Sequence, residues 1–204
     1  VKAVGIINMD VLVSGTIFLG KMVEPVSSTK NPYSKMEMGV PYTHTPKFLQ
    51  FDYRLVAPAG APIYSSGFGS KKKLSGRDNA EVFVLLQRRW EDAKGNLHAE
   101  RVGTGRERFG KTTMGWVNKH RIPIWYGDIR HHAGYKSFMG LISKEKSYYA
   151  RNSKGKMKPV IEEKWAPVGT KPTHVVVMLS SGCGTAYTGT VGMTLWVDNV
   201  AFVH

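Results

Sequence analysis

THVVVMLSSGCGTAYTGTVGMTLWVDNVAFVH, residues 173–204, reads as a β-strand, a glycine-rich polar turn and a second strand that runs to the last residue. Val175, Val177 and Leu179 make one face of the first strand apolar. Val176 and Met178 do the same for the other face, the pattern of a strand covered on both sides and set deep in a sheet. In the second strand Leu195, Val197, Ala201 and Val203 alternate with Trp196, Asp198, Val200 and Phe202. This terminal strand is expected to be largely buried in the interior of a sheet, with Trp196 in the core. A carboxylate in such a strand needs a partner. Asp198 is assigned either a hydrogen bond from a cation or backbone N–H, or a place among the roughly 6 to 8 oxygens of a structural calcium. No acidic cluster surrounds it in sequence, which favours the first.

Outward from this segment the chain keeps the same habit. In 47–56, Leu49, Phe51, Tyr53 and Leu55 point to one side and Gln50, Asp52 and Arg54 to the other, leaving a polar face able to meet sugar. Further strands are expected near 3–13, 15–22, 81–90, 99–111, 116–126, 158–165, 173–181 and 191–203, and 57–79 is expected to be a long loop with no strand of its own. No stretch holds a 3.6-residue apolar period for the length of a solid helix, and no apolar run is long enough to span a membrane. One all-β domain over residues 1–204 is the expectation. The chain opens on Val1, and a processed product or an excised fragment is the expectation. The single cysteine, Cys183, sits between two glycines and excludes an intrachain disulfide.

The C-terminal segment resembles the signature of the bacterial putative carbohydrate-metabolism domain family. The matching residues are Ser180-Ser181-Gly182, Tyr187-Thr188-Gly189, Val191-Gly192 and Trp196-Val197-Asp198-Asn199-Val200, with weaker matches in SGTIFLGKMVEPV, KFLQFDYRL and AEVFVLLQRRW. The resemblance implies a jelly-roll-like β-sandwich of two antiparallel sheets, in secreted or surface-anchored glycan-utilisation proteins. It names no reaction. The stretch of about 127–165 lacks a counterpart and is expected to be a loop-rich insertion holding a short helix or helical turn.

The formal net charge is +14 and it is uneven: residues 71–158 hold 21 of the 29 Lys and Arg against 8 of the 15 Asp and Glu, a net +13. Charge runs usually solvate a surface, but such a concentration also suits an anionic partner. Aromatic and basic residues fall together in Arg88-Arg89-Trp90, in Trp116 with His120 and Arg121, in Trp125-Tyr126 and at Tyr187. Flat rings stack on sugars and arginine forks take carboxylate or sulfate. With Arg54, these ten residues are the candidate ligand-binding set, against the bland reading that each Trp fills a core.

Catalytic patterns are weaker. Paired carboxylates Glu91-Asp92 and Glu162-Glu163 are sequence neighbours, which a strand sends to opposite faces, so neither pair flanks one bond. A lyase would use His120, Arg121 and Tyr126 together. His131-His132 are poorly placed to grip one metal. No nucleic-acid-binding motif is present. The favoured function is therefore non-catalytic recognition of an acidic polysaccharide by an extracellular or cell-surface protein, with no cofactor expected and a structural calcium at Asp198 as the less favoured alternative. The alternatives are a polysaccharide lyase or glycoside hydrolase, and a non-glycan interaction domain.

Overall fold

The computed structural model describes residues 12–25, 32–67, 70–184 and 186–204, so most of the strand expected near 3–13 lies outside the described residues. Strands β1 (Thr16–Phe18), β2 (Gly20–Met22), β3 (Met36–Met38), β4 (Val40–Pro41) and β5 (Phe48–Val56) form the first third. Next come β6 (Ile63–Gly67), β7 (Ser70–Leu74), β8 (Ala80–Glu91), β9 (Leu97–Phe109), β10 (Val117–Pro123) and β11 (Trp125–Tyr126). Last are β12 (Tyr149–Arg151), β13 (Met157–Trp165), β14 (His174–Ser180), β15 (Thr188–Gly189) and β16 (Thr194–Val203). The helical content of the described residues is four short 3₁₀ turns, three of them within 127–165.

Three sheets stand where two were expected. The largest has ten strands in the order β1-β14-β8-β9-β13-β12-β3-β2, with β4 on β14 and β11 on β9. It is not wholly antiparallel, since β13 runs parallel to β9 and β12 parallel to β3. Its two ends meet. Leu19, alone between β1 and β2, donates its N–H to Val177 at 3.0 Å and accepts the Gly39 N–H at 2.8 Å, so the sheet curls into a nearly closed barrel. Gly20 makes that closure sterically feasible: its φ is +147°, and a Cβ there would lie 2.0 Å from the Glu37 carbonyl oxygen.

The doubly apolar strand β14 sits as its sequence predicts, between β1 and β8 with both faces buried. Val175, Val177 and Leu179 join Val82, Val84 and Leu86 of β8 in a core roofed by Leu49, Phe51, Tyr53 and Leu55 of β5. On the other side Val176 and Met178 meet Phe83, Leu85, Met38 and Tyr148 inside the curl. Burying each such aliphatic side chain contributes about 1.5–3 kcal/mol. The inside also holds charge. Arg101, fully buried, donates to Glu162 through Nε at 2.6 Å and again through its second fork nitrogen, and Gln87 donates to the same carboxylate at 2.6 Å. Arg89 completes the chain, donating to Gln87 at 2.8 Å and to the Met38 carbonyl at 3.1 Å.

Three expectations are corrected. The stretch 57–79 carries the hairpin β6–β7, which with β15 makes a small sheet of order β15-β6-β7. Its alternation is hidden because the lysines of SKKKL occupy an edge strand, where charge is favoured over apolar residues. The strands expected over 15–22 and 116–126 each break in two. Finally, β16 is an edge strand in the third sheet, β10-β5-β16, and is covered on one face only. Trp196 and Asp198 are accordingly exposed instead of buried.

Candidate functional site

The third sheet packs one face on the core and turns the other to solvent, and on that outer face the side chains are sorted by two β-bulges. Pairing of β5 with β16 runs Trp196↔Arg54 and Asp198↔Asp52, then slips before Ala201↔Gln50. Leu195 and Val197 point inward before the slip, and Phe202 does so after it, opposite Leu49. A bulge adds one residue to one strand and so reverses its alternation. Strand β10 carries the matching irregularity between Val117 and His120. Each bulge contains a non-glycine residue in the left-handed region, Asn199 at φ 50° and Lys119 at φ 52°.

Asp52 holds both. Its Oδ1 accepts the Lys119 backbone N–H at 2.5 Å and its Oδ2 accepts the Asn199 side-chain amide at 2.7 Å, across the two neighbouring strands. The Lys119 N–H first, then the Asn199 amide, keeps the Asp52 carboxyl below the usual carboxylate range. Asp198 accepts the Asn199 N–H at 2.7 Å, a local cap. No group of three or more His, Cys, Asp or Glu side chains able to hold a metal occurs among the described residues, so nothing in the geometry joins Asp198 to a calcium site.

Around this anchor lie the candidate binding groups. Trp196 is 43 % exposed, and the Arg54 guanidinium sits 5.2 Å from its ring centroid. Arg121 donates Nε to the Gln50 side-chain oxygen at 2.8 Å and lies 5.7 Å from the Phe48 ring. The face is thus a flat aromatic and guanidinium surface. Beyond the pair Val56↔Thr194, where β5 ends and β16 begins, lies a cleft of about 230 Å³ lined by Ala57, Pro58, Met193, Thr190, Arg77 and Lys111, among others, with Ala57 and Met193 also packed on the core. Asp78, buried at this cleft, accepts the Thr190 N–H at 2.9 Å and the Asn79 N–H at 2.8 Å.

Of the residues singled out from sequence, Arg54 and Arg121 share this face, and the others do not join them. Arg88 pairs with Glu100 on the outside of the large sheet, where Trp90, 40 % exposed, stacks on His98 at 5.5 Å. Arg89 is spent inside the curl, where burial brings its guanidinium down to about 10 against the opposing pull of Glu162. Trp116 is exposed ahead of β10. His120 turns inward, its ring 5.4 Å from each of Phe51, Tyr53 and Phe109 and its Nε2 2.9 Å from Glu107. Tyr126 donates its hydroxyl to the Pro46 carbonyl at 2.6 Å, and Trp125 stacks on His132 at 3.8 Å. His120, Arg121 and Tyr126 therefore do not converge as a lyase would need. The Tyr187 carbonyl, with φ 60° at that residue, accepts from the Ser66 N–H at 2.9 Å and hydroxyl at 3.0 Å. The sequence reading missed Trp196, which it placed in the core, and the cleft cations Arg77 and Lys111. The edge position of β16 would have been the signal, and strand order is not written locally.

Two crystal structures resemble this fold. One is of a putative glycoside hydrolase from Bacteroides thetaiotaomicron VPI-5482, with a TM-score of 0.57 and 19% identity over 94% of this chain and 47% of that one. The other is of a putative glycoside hydrolase from Bacteroides vulgatus ATCC 8482, with a TM-score of 0.54 and 16% identity over 93% of this chain and 64% of that one. At these identities the likeness is one of fold. The chain spans about half of the first and less than two thirds of the second. No functionally curated protein matches it. The family described as "Putative carbohydrate metabolism domain" matches residues 1–203, which is nearly the whole sequence, and the chain belongs to that family.

Proposed function

We propose that the protein recognises a glycan without cleaving it, using the outer face of the β10-β5-β16 sheet, and that it does so as part of a secreted or surface protein. The observation that carries this reading is the exposed Trp196 ring beside the Arg54 guanidinium on a flat strand face, in a chain of carbohydrate-metabolism kinship. A sugar ring stacks on the indole, and Arg54, Gln50 and Arg121 supply donors and acceptors to its hydroxyls.

The catalytic alternative has one specific observation in its favour. Asp52 and Asp198 are directly opposed across the strands, which puts their Cβ atoms roughly 4.5–5.5 Å apart, close to the spacing of a retaining pair. The chemistry opposes it. Two N–H donors favour the ionised form of Asp52, which leaves the acid's part to Asp198, and a general acid is made by an apolar, enclosed site, whereas Asp198 is solvent-exposed and accepts the Asn199 N–H. Calorimetric titration against a panel of oligosaccharides tests the reading, with Trp196→Ala expected to weaken binding about 10- to 100-fold. An unchanged affinity, or release of reducing ends that Asp52→Asn abolishes, overturns it.

A further inference from the structure

The outer face is nearly balanced in charge, with Arg54, Arg121 and Lys119 against Asp52 and Asp198, so it does not by itself select an anionic sugar. The cleft at its end differs. Arg77 and Lys111 line it, and neither side chain makes an ion pair or hydrogen bond among the described residues. The strand that leads into Arg77 adds exposed Lys71, Lys72 and Lys73, with Lys71 Nζ 4.1 Å from the Tyr64 ring centroid. The carboxylate of the cleft itself, Asp78, is buried and already engaged by two backbone N–H groups. Unpaired cations around a concavity with low-dielectric walls focus positive potential into it. The Thr112 hydroxyl, tied to Ala57 N and O at 2.9 and 3.0 Å, fixes one wall against another.

We propose that this cleft is an anion-selecting subsite: it takes the carboxylate of a uronate unit, held by Arg77 and Lys111, while a neighbouring unit of the same chain stacks on Trp196. This rests on the glycan reading of the adjoining face. The cleft volume of about 230 Å³ is below the roughly 300–1,000 Å³ of sites that enclose a whole small molecule. That size fits a substituted ring edge better than a whole oligosaccharide. Arg54 and Trp196 each lie two residues from the paired positions Val56 and Thr194 at the end of the sheet, and the next residues beyond that pair, Ala57 and Met193, pack on the core and line the cleft. At about 3.3 Å per strand residue, that is within the reach of adjacent sugars in one chain.

The test uses oligogalacturonate and its methyl ester, which keep one carbohydrate skeleton and differ in charge. The unmodified protein should bind the acid form about tenfold more tightly than the ester, as expected for charge-assisted hydrogen bonds to a carboxylate. The double variant Arg77→Gln, Lys111→Gln should bind both alike, at the level of the ester, while Trp196→Ala weakens both. Nuclear magnetic resonance with free galacturonate reads the cleft alone, through shifts of the Thr112 and Thr190 amides that its methyl ester does not cause. Cleft shifts without a Trp196 effect on the oligosaccharides sink the reading of the face and leave the subsite standing. A Trp196 effect without preference for the acid, or a preference that survives the double variant, sinks the subsite alone. Equal or tighter binding of single-stranded oligothymidylate, lost in the double variant, would reassign the cleft to phosphate, and binding of none of these probes would overturn both proposals.

Discussion

Replacing Glu162 by Gln leaves the shape of the side chain and removes the carboxylate that Arg101 clasps inside the curl of the large sheet. In the native protein two carboxylate oxygens serve the Arg101 fork, the Gln87 amide and the Ile142 N–H, the last at 2.8 Å. The amide offers those same donors one oxygen and adds two donors of its own. Arg101, with a side-chain exposure of 0 %, has no route to water. Breaking one side of a buried pair costs about 3–5 kcal/mol, because the remaining charge stays desolvated. In a chain of this length each kcal/mol shifts the melting temperature by about 2–4 °C, so a fall of roughly 6–20 °C is expected by calorimetry at neutral pH. The double variant Glu162→Leu, Arg101→Met, which removes both charges, should melt above the single one. A drop of under about 2 °C for Glu162→Gln, or a double variant less stable than the single, would refute the argument that an uncompensated buried charge sets the cost. Acid should mimic the mutation. Burial pushes the Glu162 carboxyl up, but the Arg101 charge and the bonds from Arg101, Ile142 and Gln87 outweigh it and leave it below 4.5. Its stabilisation is therefore present above the unfolded-state value and is lost as pH falls through the depressed folded one.

Two further outcomes follow from closure and burial. Gly20→Ala should open the seam, because its Cβ would overlap the Glu37 carbonyl at a φ the alanine also disfavours. Amide exchange should accelerate at Gly39 and in β3 while β8 and β14 stay protected, and uniform protection would contradict the closure. His174 is held neutral, with burial first and the Arg89 charge second bringing its imidazole from 6.5 to about 4. The unfolded chain binds that proton earlier, so stability should decline as pH falls from about 6.5 towards 4, and a resonance titration placing the imidazole near 6.5 would dismiss the effect.

Much of this molecule is legible in its residues one strand at a time. The alternation in 48–56 and the doubly apolar run 175–179 depend on the two-residue period of a strand and on how many of its faces are covered, both local properties. They led to an all-β chain, to the deepest strand and to the polar outer face carrying Gln50, Asp52 and Arg54. Kinship to a carbohydrate-metabolism family was likewise carried by short motifs, and the match to residues 1–203 bears it out.

Strand order and register belong to the tertiary structure. Whether Trp196 and Asp198 are core or surface turns on β16 lying at an edge and on a bulge at Asn199, and the bulge is held by Asp52, 147 residues away in sequence. Arg88, Arg89 and Trp90 are consecutive, yet Arg89 is half-buried and turned into the curl while the other two lie exposed, because adjacent strand residues face opposite ways and only the closed curl gives one of those ways an inside. The cleft is assembled from loops at 57–61, 77–78, 110–112 and 190–193, which no local pattern links. Periodicity and motif, being short-range, were determined by the sequence as read. The site was decided by long-range pairing, whose registers come from the mutual packing and hydrogen bonding of strands far apart in the chain.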